Sequence, residues 1–324
     1  MESASPYDFT QAKKELVDAF GKEAIVDLHR PSPFLDWLTF VVHWSAFFGL
    51  AWLLGTLRPL SAPWILCLVA QGFVIMAFGY VLHDFFVHRF VGGKRFSYWM
   101  GLLTGFVAYL LRTPYAETHY DHHLHTGTDP DEAYKDDLDR RWKRFLFLTP
   151  VGYVLAFERN LRSKRADAFP APEGAFRLHG AERKRASLER RLLLLFWIGL
   201  IILAWFWPRF VLLGYIAPIA LVMPIANAIR TVLEHAETNP KNLFHCATFY
   251  RTGPITRLLF FWDGGDCHLV HHIFPNIPFY RMGRAVDLFR PFLVARGVRE
   301  RRSLLELLRG YFLRNEPHRA LWSA

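Results

Sequence analysis

Fifteen histidines occur in the 324 residues, and nine of them stand at spacings that could hold metal. His83 and His88 bracket the run HDFFVH. His119, His122 and His123 form HYDHH, His268, His271 and His272 form HLVHH, and His235 stands alone between these two triplets. On a helix, residues three and four apart share a face, so each HxxHH triplet can aim three imidazoles at one point. The first pair differs, because a spacing of five leaves His88 roughly 140° around an α-helix from His83. Those two must straddle a metal or lie where the helix is ending. Asp84 and His88 do share a face, which makes the Asp84 carboxylate a candidate acceptor for a ligand's outer ring N–H. His125, three residues after His122, reads as a supporting or substrate-side residue. His29, His43, His179, His245 and His318 are scattered and read as ordinary interfacial side chains.

Neutral imidazole suits iron, zinc, copper and nickel alike, so ligand type does not name the metal. Ligand number narrows the choice. A structural zinc takes four ligands and a catalytic one usually three plus water, so nine histidines are too many for one ion. Two ions sharing them, with open positions, would suit iron-based oxygen activation. The cysteines Cys67, Cys246 and Cys267 offer no CxxC pair for zinc, an iron–sulfur cluster or a rubredoxin iron, and no disulfide framework.

The elements that must position these histidines are membrane helices. Hydrophobic residues make up 52% of the chain and come in long blocks, which argues against an ordinary soluble protein. Four stretches approach the ~20 apolar residues that a spanning helix needs: 37–57, 63–82, 192–207 and 210–229. They pair as two hairpins with short outer loops. Two shorter apolar stretches, 99–111 and 145–157, predict helices lying in the interface. The polar N-terminal tail, 1–36, has no apolar run after a basic start, so no cleaved signal peptide is expected. The tail, the region between the hairpins and the region after the fourth span all fall on one side. That side carries Lys94, Arg95, Arg140, Arg141, Lys143 and Arg144 among many others, whereas the outer loops offer Arg58 and Arg209. By the positive-inside rule it is the cytosolic side. The formal charge of +10 thus has a topological cause and does not point to nucleic acid. There is no internal repeat, and 1–324 reads as a single membrane-embedded domain. The expected fold is an all-α integral membrane protein: four transmembrane helices as two hairpins, interfacial helices, and a cytosolic helical cap holding the metal site.

HxxxxH, HxxHH and a later HxxHH in this order, with two spans between the second and third, resemble the histidine boxes of the membrane fatty acid desaturase and hydroxylase superfamily. HHIFPNIP at 271–278 is similar to the ending of that superfamily's third box, and Glu234-His235 resembles the extra histidine after its fourth span. The resemblance covers roughly 83–278. It implies that His83, His88, His119, His122, His123, His235, His268, His271 and His272 hold two irons, with O₂ as co-substrate, and oxidise an unactivated C–H bond of a lipid or fatty-acyl substrate. Asp121, Asp129, Asp131, Asp263 and Asp266 lie near the boxes and could orient ligands, Asp266 foremost because it precedes His268 by two. Glu234 is a further candidate beside His235. The chain has no HPGG haem motif and no rubredoxin-type cysteines. Electrons are therefore expected from a separate ferredoxin, rubredoxin or cytochrome b5, which the basic face would suit.

Desaturation is the leading reading. Hydroxylation or ketolation of an alkane, fatty acid or carotenoid by the same di-iron site is the alternative, because both outcomes begin with hydrogen abstraction. A histidine-rich metal transporter is a distant third: transport would place ionisable ligands along a path through the spans, where only His43 lies.

Overall fold

The computed structural model describes residues 9–126, 180–235, 246–250, 252–260, 267–298, 300–301 and 303–309, together with 145, 146, 149, 151 and 244. The described residues are mostly helical. Two short helices, α1 (Phe9–Phe20) and α2 (Lys22–Leu28), precede α3 (Pro33–Thr56), whose start is set by Pro33 and by the Ser32 side chain accepting from the Leu35 N–H at 3.4 Å. A second Ser-initiated start, with Ser61 accepting from Trp64 N–H, opens α4 (Ala62–Val81). This helix runs straight into a π-helical turn, Leu82–His88. Then come α5 (Lys94–Val107), α6 (Arg112–His125) and α7 (Ala181–Phe206). A second π-helical segment, Arg209–Ile216, continues through α8 (Ala217–Leu221) into α9 (Met223–His235). The C-terminal part holds β1 (Phe249–Tyr250), α10 (Pro254–Phe260), α11 (His268–Ile273), α12 (Phe279–Ala295), β2 (Glu300–Arg301) and α13 (Leu304–Leu308).

Among the described residues, three stretches are long and apolar enough to cross a membrane: Lys22–Thr56, whose apolar part is α3, Ala62–His88 and Arg209–His235. At 1.5 Å per residue the 24 residues of α3 rise about 36 Å, against a hydrocarbon core of about 30 Å. The expected span 192–207 falls within α7, whose first half is charged through Glu189, Arg190 and Arg191. The expected interfacial helix 99–111 is α5 as far as Val107, and 108–111 is a non-helical link to α6. Most of 145–157 lies outside the described residues. Within the stretch read as an N-terminal tail, residues 9–28 are largely helical, and apolar side chains among them pack rather than point to solvent.

Helices α3, α4 and the Arg209–Ile216 segment form one packed layer. Its centre is Gln71, fully buried, whose Nε2 donates to the carbonyls of Phe47 (3.1 Å) and Gly214 (3.0 Å). Where no water competes, such a bond must be made within the protein, and a π-helical segment leaves carbonyls available for it. Gly214 is required there, because a Cβ would lie 2.8 Å from the Ala51 carbonyl oxygen. A second cluster of buried residues joins the N-terminal helices to the C-terminal part. Ala12 and Leu16 of α1 and Ile25 and Leu28 of α2 are buried against Leu269, Val270 and Ile273 of α11 and Phe289 and Leu293 of α12. The all-helical expectation has one exception among the described residues, the parallel pair β1–β2, in register Phe249↔Glu300 and Tyr250↔Arg301. The pair clasps the two ends of the segment that carries α11.

Candidate metal centre

Four segments bring the nine histidines together. The first pair sits on the π-helical turn, where the Arg89 N–H donates to the Asp84 carbonyl five residues back at 3.0 Å. A hydrogen-bond step of five brings residues five apart into line. The His83 and His88 rings are therefore 4.6 Å apart, centroid to centroid, and do not diverge by the roughly 140° expected of an α-helix. The second cluster rides on α6. That helix has no capping side chain of its own. Instead the buried Glu189 carboxylate of α7 reaches across to accept from Thr113 N–H (2.9 Å) and Thr113 Oγ1 (2.5 Å). Arg112 donates to the Phe86 carbonyl at 2.6 Å, tying the start of α6 to the first pair. The third cluster occupies the short α11, and His235 ends α9. Thr248 joins these two: its Oγ1 donates to the Leu233 carbonyl, its N–H donates to the Glu234 carbonyl at 2.9 Å, and its own carbonyl accepts from Leu269 N–H.

The imidazoles form two groups, within each of which the ligand atoms lie within 4.8 Å of one another. One comprises His83, His88, His119, His123 and His271. The other comprises His122, His235, His268 and His272. Each HxxHH triplet is thus divided between the groups, and does not point at a single spot as its shared face suggests. The reason is helical: relative to the first histidine, the fourth residue on lies about 40° to one side and the third about 60° to the other. Helix α6 gives its i,i+4 pair, His119 and His123, to the first group and His122 to the second. Helix α11 does the reverse, giving His268 and His272 to the second group and His271 to the first.

The donor set suits a metal. In the first group Nε2 atoms face one another at 2.8 Å (His88–His119), 2.9 Å (His119–His123) and 3.1 Å (His123–His271). In the second the corresponding distances are 2.7 Å (His235–His268) and 3.1 Å (His268–His272). Two nitrogens each about 2.0–2.1 Å from one ion, at right angles, are about 2.9 Å apart. Burial, and then the neighbouring imidazoles, push the pKa values of His119, His123, His268, His271 and His272 well below the ordinary range. The rings are therefore held neutral, which is the ligating form. For His272 the tautomer is also fixed. Thr126 Oγ1 donates to the His122 carbonyl at 2.5 Å, so toward His272 Nδ1, 3.2 Å away, it serves as acceptor. That leaves the His272 Nε2 lone pair facing the group.

Two of the carboxylates expected to orient ligands bond to residues other than the histidines. Asp84 pairs with Arg89 at 2.7 Å. Glu234 accepts from Tyr80 Oη at 2.7 Å and from Arg230 at 2.9 and 3.1 Å. Asp121 is buried on α6. Asp129, Asp131, Asp263, Asp266 and the side chain of His125 lie outside the described residues. Thr126, Thr248 and Glu189, which position the ligand helices, carry no sequence signal of their own, since each acts on a segment remote from it or through an ordinary hydroxyl.

The family profile described as fatty acid desaturase matches residues 59–303. Among characterised proteins, the chain is 24% identical over 242 residues to an sn-1 acyl-lipid omega-3 desaturase (ferredoxin) of Synechocystis sp.. That match covers 69% of this chain and 66% of the relative, just under two thirds of the relative's length.

Proposed function

We propose a di-iron, O₂-dependent lipid oxidation for this chain, which belongs to the fatty acid desaturase family and is an oxidoreductase. The observation that carries the reading is the pair of adjacent, buried, all-imidazole groups. The five histidines of one and the four of the other would each hold an iron, leaving positions open for oxygen. Bound there, the irons would supply oxygen activation and removal of hydrogen from an unactivated C–H bond. The protein's own part is position and exclusion. Burial of the histidines themselves, His122, His235, His268, His271 and His272 among them, keeps water from the groups, and Thr126 holds His272 in its ligating tautomer. Desaturation balances as one O₂, two electrons and two protons taken up, two hydrogens removed from adjacent carbons, and two waters released.

The substrate we infer is a fatty-acyl chain or similar lipid, entering between helices. The chain carries this chemistry as a single domain with four spans. Beside the three long apolar stretches, the remaining span, third in chain order, is the apolar half of α7, where Leu194, Ile201 and Trp205 project outward. Lysine and arginine placement supports a cytosolic metal site. The named relative uses ferredoxin, and an acidic ferredoxin-type donor on the basic face fits this chain too. Hydroxylation remains the second reading, because the branch between the two products depends on substrate placement.

The test is expression with a ferredoxin and its reductase, followed by lipid mass profiling and iron analysis of the purified protein. The expected product lacks two hydrogens. Gain of one oxygen would move the assignment to a hydroxylase. Absence of iron from the wild type, or full activity in His271→Ala/His272→Ala, would overturn the reading.

A further inference from the structure

The first histidine pair is aligned only because 82–88 is π-helical, a rare geometry that needs support from outside the turn. That support is visible at Arg89, the residue that closes the turn. Its N–H bonds to the Asp84 carbonyl at 3.0 Å, and its guanidinium grips the Asp84 carboxylate at 2.7 Å, so backbone and side chain span the same five residues. Nη2, which holds Asp84, and the neighbouring Nη1 also donate to the two oxygens of Asp36, in the first turn of α3, at 2.9 and 3.3 Å. All three side chains are at least nine-tenths buried. The cation also lies against the rings of Phe85 and Tyr280, at 5.0 and 5.9 Å, and Tyr280 Oη accepts from Ser32 N–H, just before α3. The planar guanidinium takes one carboxylate through two nitrogens while donating to a second, a fork that the single nitrogen of an ammonium does not have.

We propose that Arg89, clamped between Asp84 and Asp36, is a positioning residue that keeps 82–88 in the π-helical form and so holds His88 in line with His83. Without the clamp the turn relaxes to α-helical geometry, and His88 rotates out of the five-histidine group. The consequence for metal rests on the di-iron reading, whereas the effect on the turn does not.

Two measurements separate them. Hydrogen exchange of the metal-free protein, followed by mass spectrometry, reads the turn directly. Arg89→Gln should speed exchange about tenfold in peptides covering 82–91, leaving α12 unchanged. Chelator competition after loading with Co²⁺ reads the consequence: both ions are held tightly in the wild type, and one is released about tenfold more readily in Arg89→Gln, whose five-histidine group is left with four donors. Arg89→Lys, expected between the two, serves if the glutamine variant does not fold. Deleting Val87 from Arg89→Gln sets the two histidines four apart, aligned on an ordinary α-helix, and should restore the tight hold on that ion. Unchanged exchange at 82–91 in both Arg89 variants overturns the clamp. So does wild-type tightness of both ions in both variants, or failure of the deletion to restore it. A wild type that binds fewer than two ions counts against the di-iron reading instead, with the exchange result still deciding the clamp.

Discussion

The two histidine groups are built from the same parts in different proportion. The five-membered group takes a pair from α6, one residue from α11 and a pair from the π-helical turn. The four-membered group takes a pair from α11, one residue from α6 and one from the end of α9. The first thus depends on an unusual backbone turn held by buried ion pairs. The second depends on hydroxyls: Thr126 against His272, and Thr248 joining α9 to α11. The difference teaches that ligand number and ligand support trade off. The group with five donors can lose one and still hold an ion, while the group with four relies on each being correctly oriented.

The largest expected effect breaks this comparison directly. His268→Ala/His272→Ala leaves two imidazoles in the four-membered group, so activity should fall to background with complete loss of that ion. His119→Ala/His123→Ala leaves three in the other group, enough for weak metal retention. Elemental analysis beside turnover distinguishes the two, and equal metal loss in both variants would erase the asymmetry.

Acid should act next most strongly. His119 and His123 of α6 and His268, His271 and His272 of α11 titrate well below the ordinary value of about 6.5, because burial disfavours their charged form. As pH falls through that value the unfolded chain takes up protons that the folded chain refuses, so their contribution is complete above about pH 6.5 and declines below it. Thermal melts of the metal-free protein should drop steeply below about pH 6.5, and less steeply in His268→Ala/His272→Ala, which lacks two of these groups. Equal slopes would argue against neutral, buried imidazoles.

Thr126→Val should weaken metal retention of the four-membered group by roughly 10–100-fold and leave the other group intact, as chelator competition would report. Thr248→Val removes buried hydrogen bonds and should cost about 1–3 kcal/mol of stability in denaturant melts. Glu189→Ala uncaps α6 and should cost about 1 kcal/mol, sensed almost equally by both groups because α6 serves both.

The nine histidines are legible in the sequence because imidazoles at regular spacing beside apolar blocks are hard to account for except as metal ligands. Their division into two groups is not legible. It follows from helix geometry, but only once α6 and α11 are known to face each other. The first pair defeats a reading based on the α-helical period, although a spacing of five is itself the hydrogen-bond step of a π-helix. Asp84 does lie close to the histidine pair, yet its partner is Arg89, a residue with no reason in sequence to turn inward. Helices α1 and α2 are concealed by polar composition, which masks the apolar spacing of Ala12 and Leu16. Glu189 cannot be foreseen as a cap, since it acts across 76 positions of chain.

The exchange of imidazoles between α6 and α11 has a consequence for how the centre fills. Each helix supplies both groups, so an ion bound in one group fixes the rotation of both helices about their axes. That is the freedom a second ion would otherwise have to remove. The second ion therefore binds to a chain already ordered for it, and by reciprocity the first is held more tightly once the second has entered. Loading becomes cooperative: at limiting metal the population divides between empty and full chains, with few caught half filled.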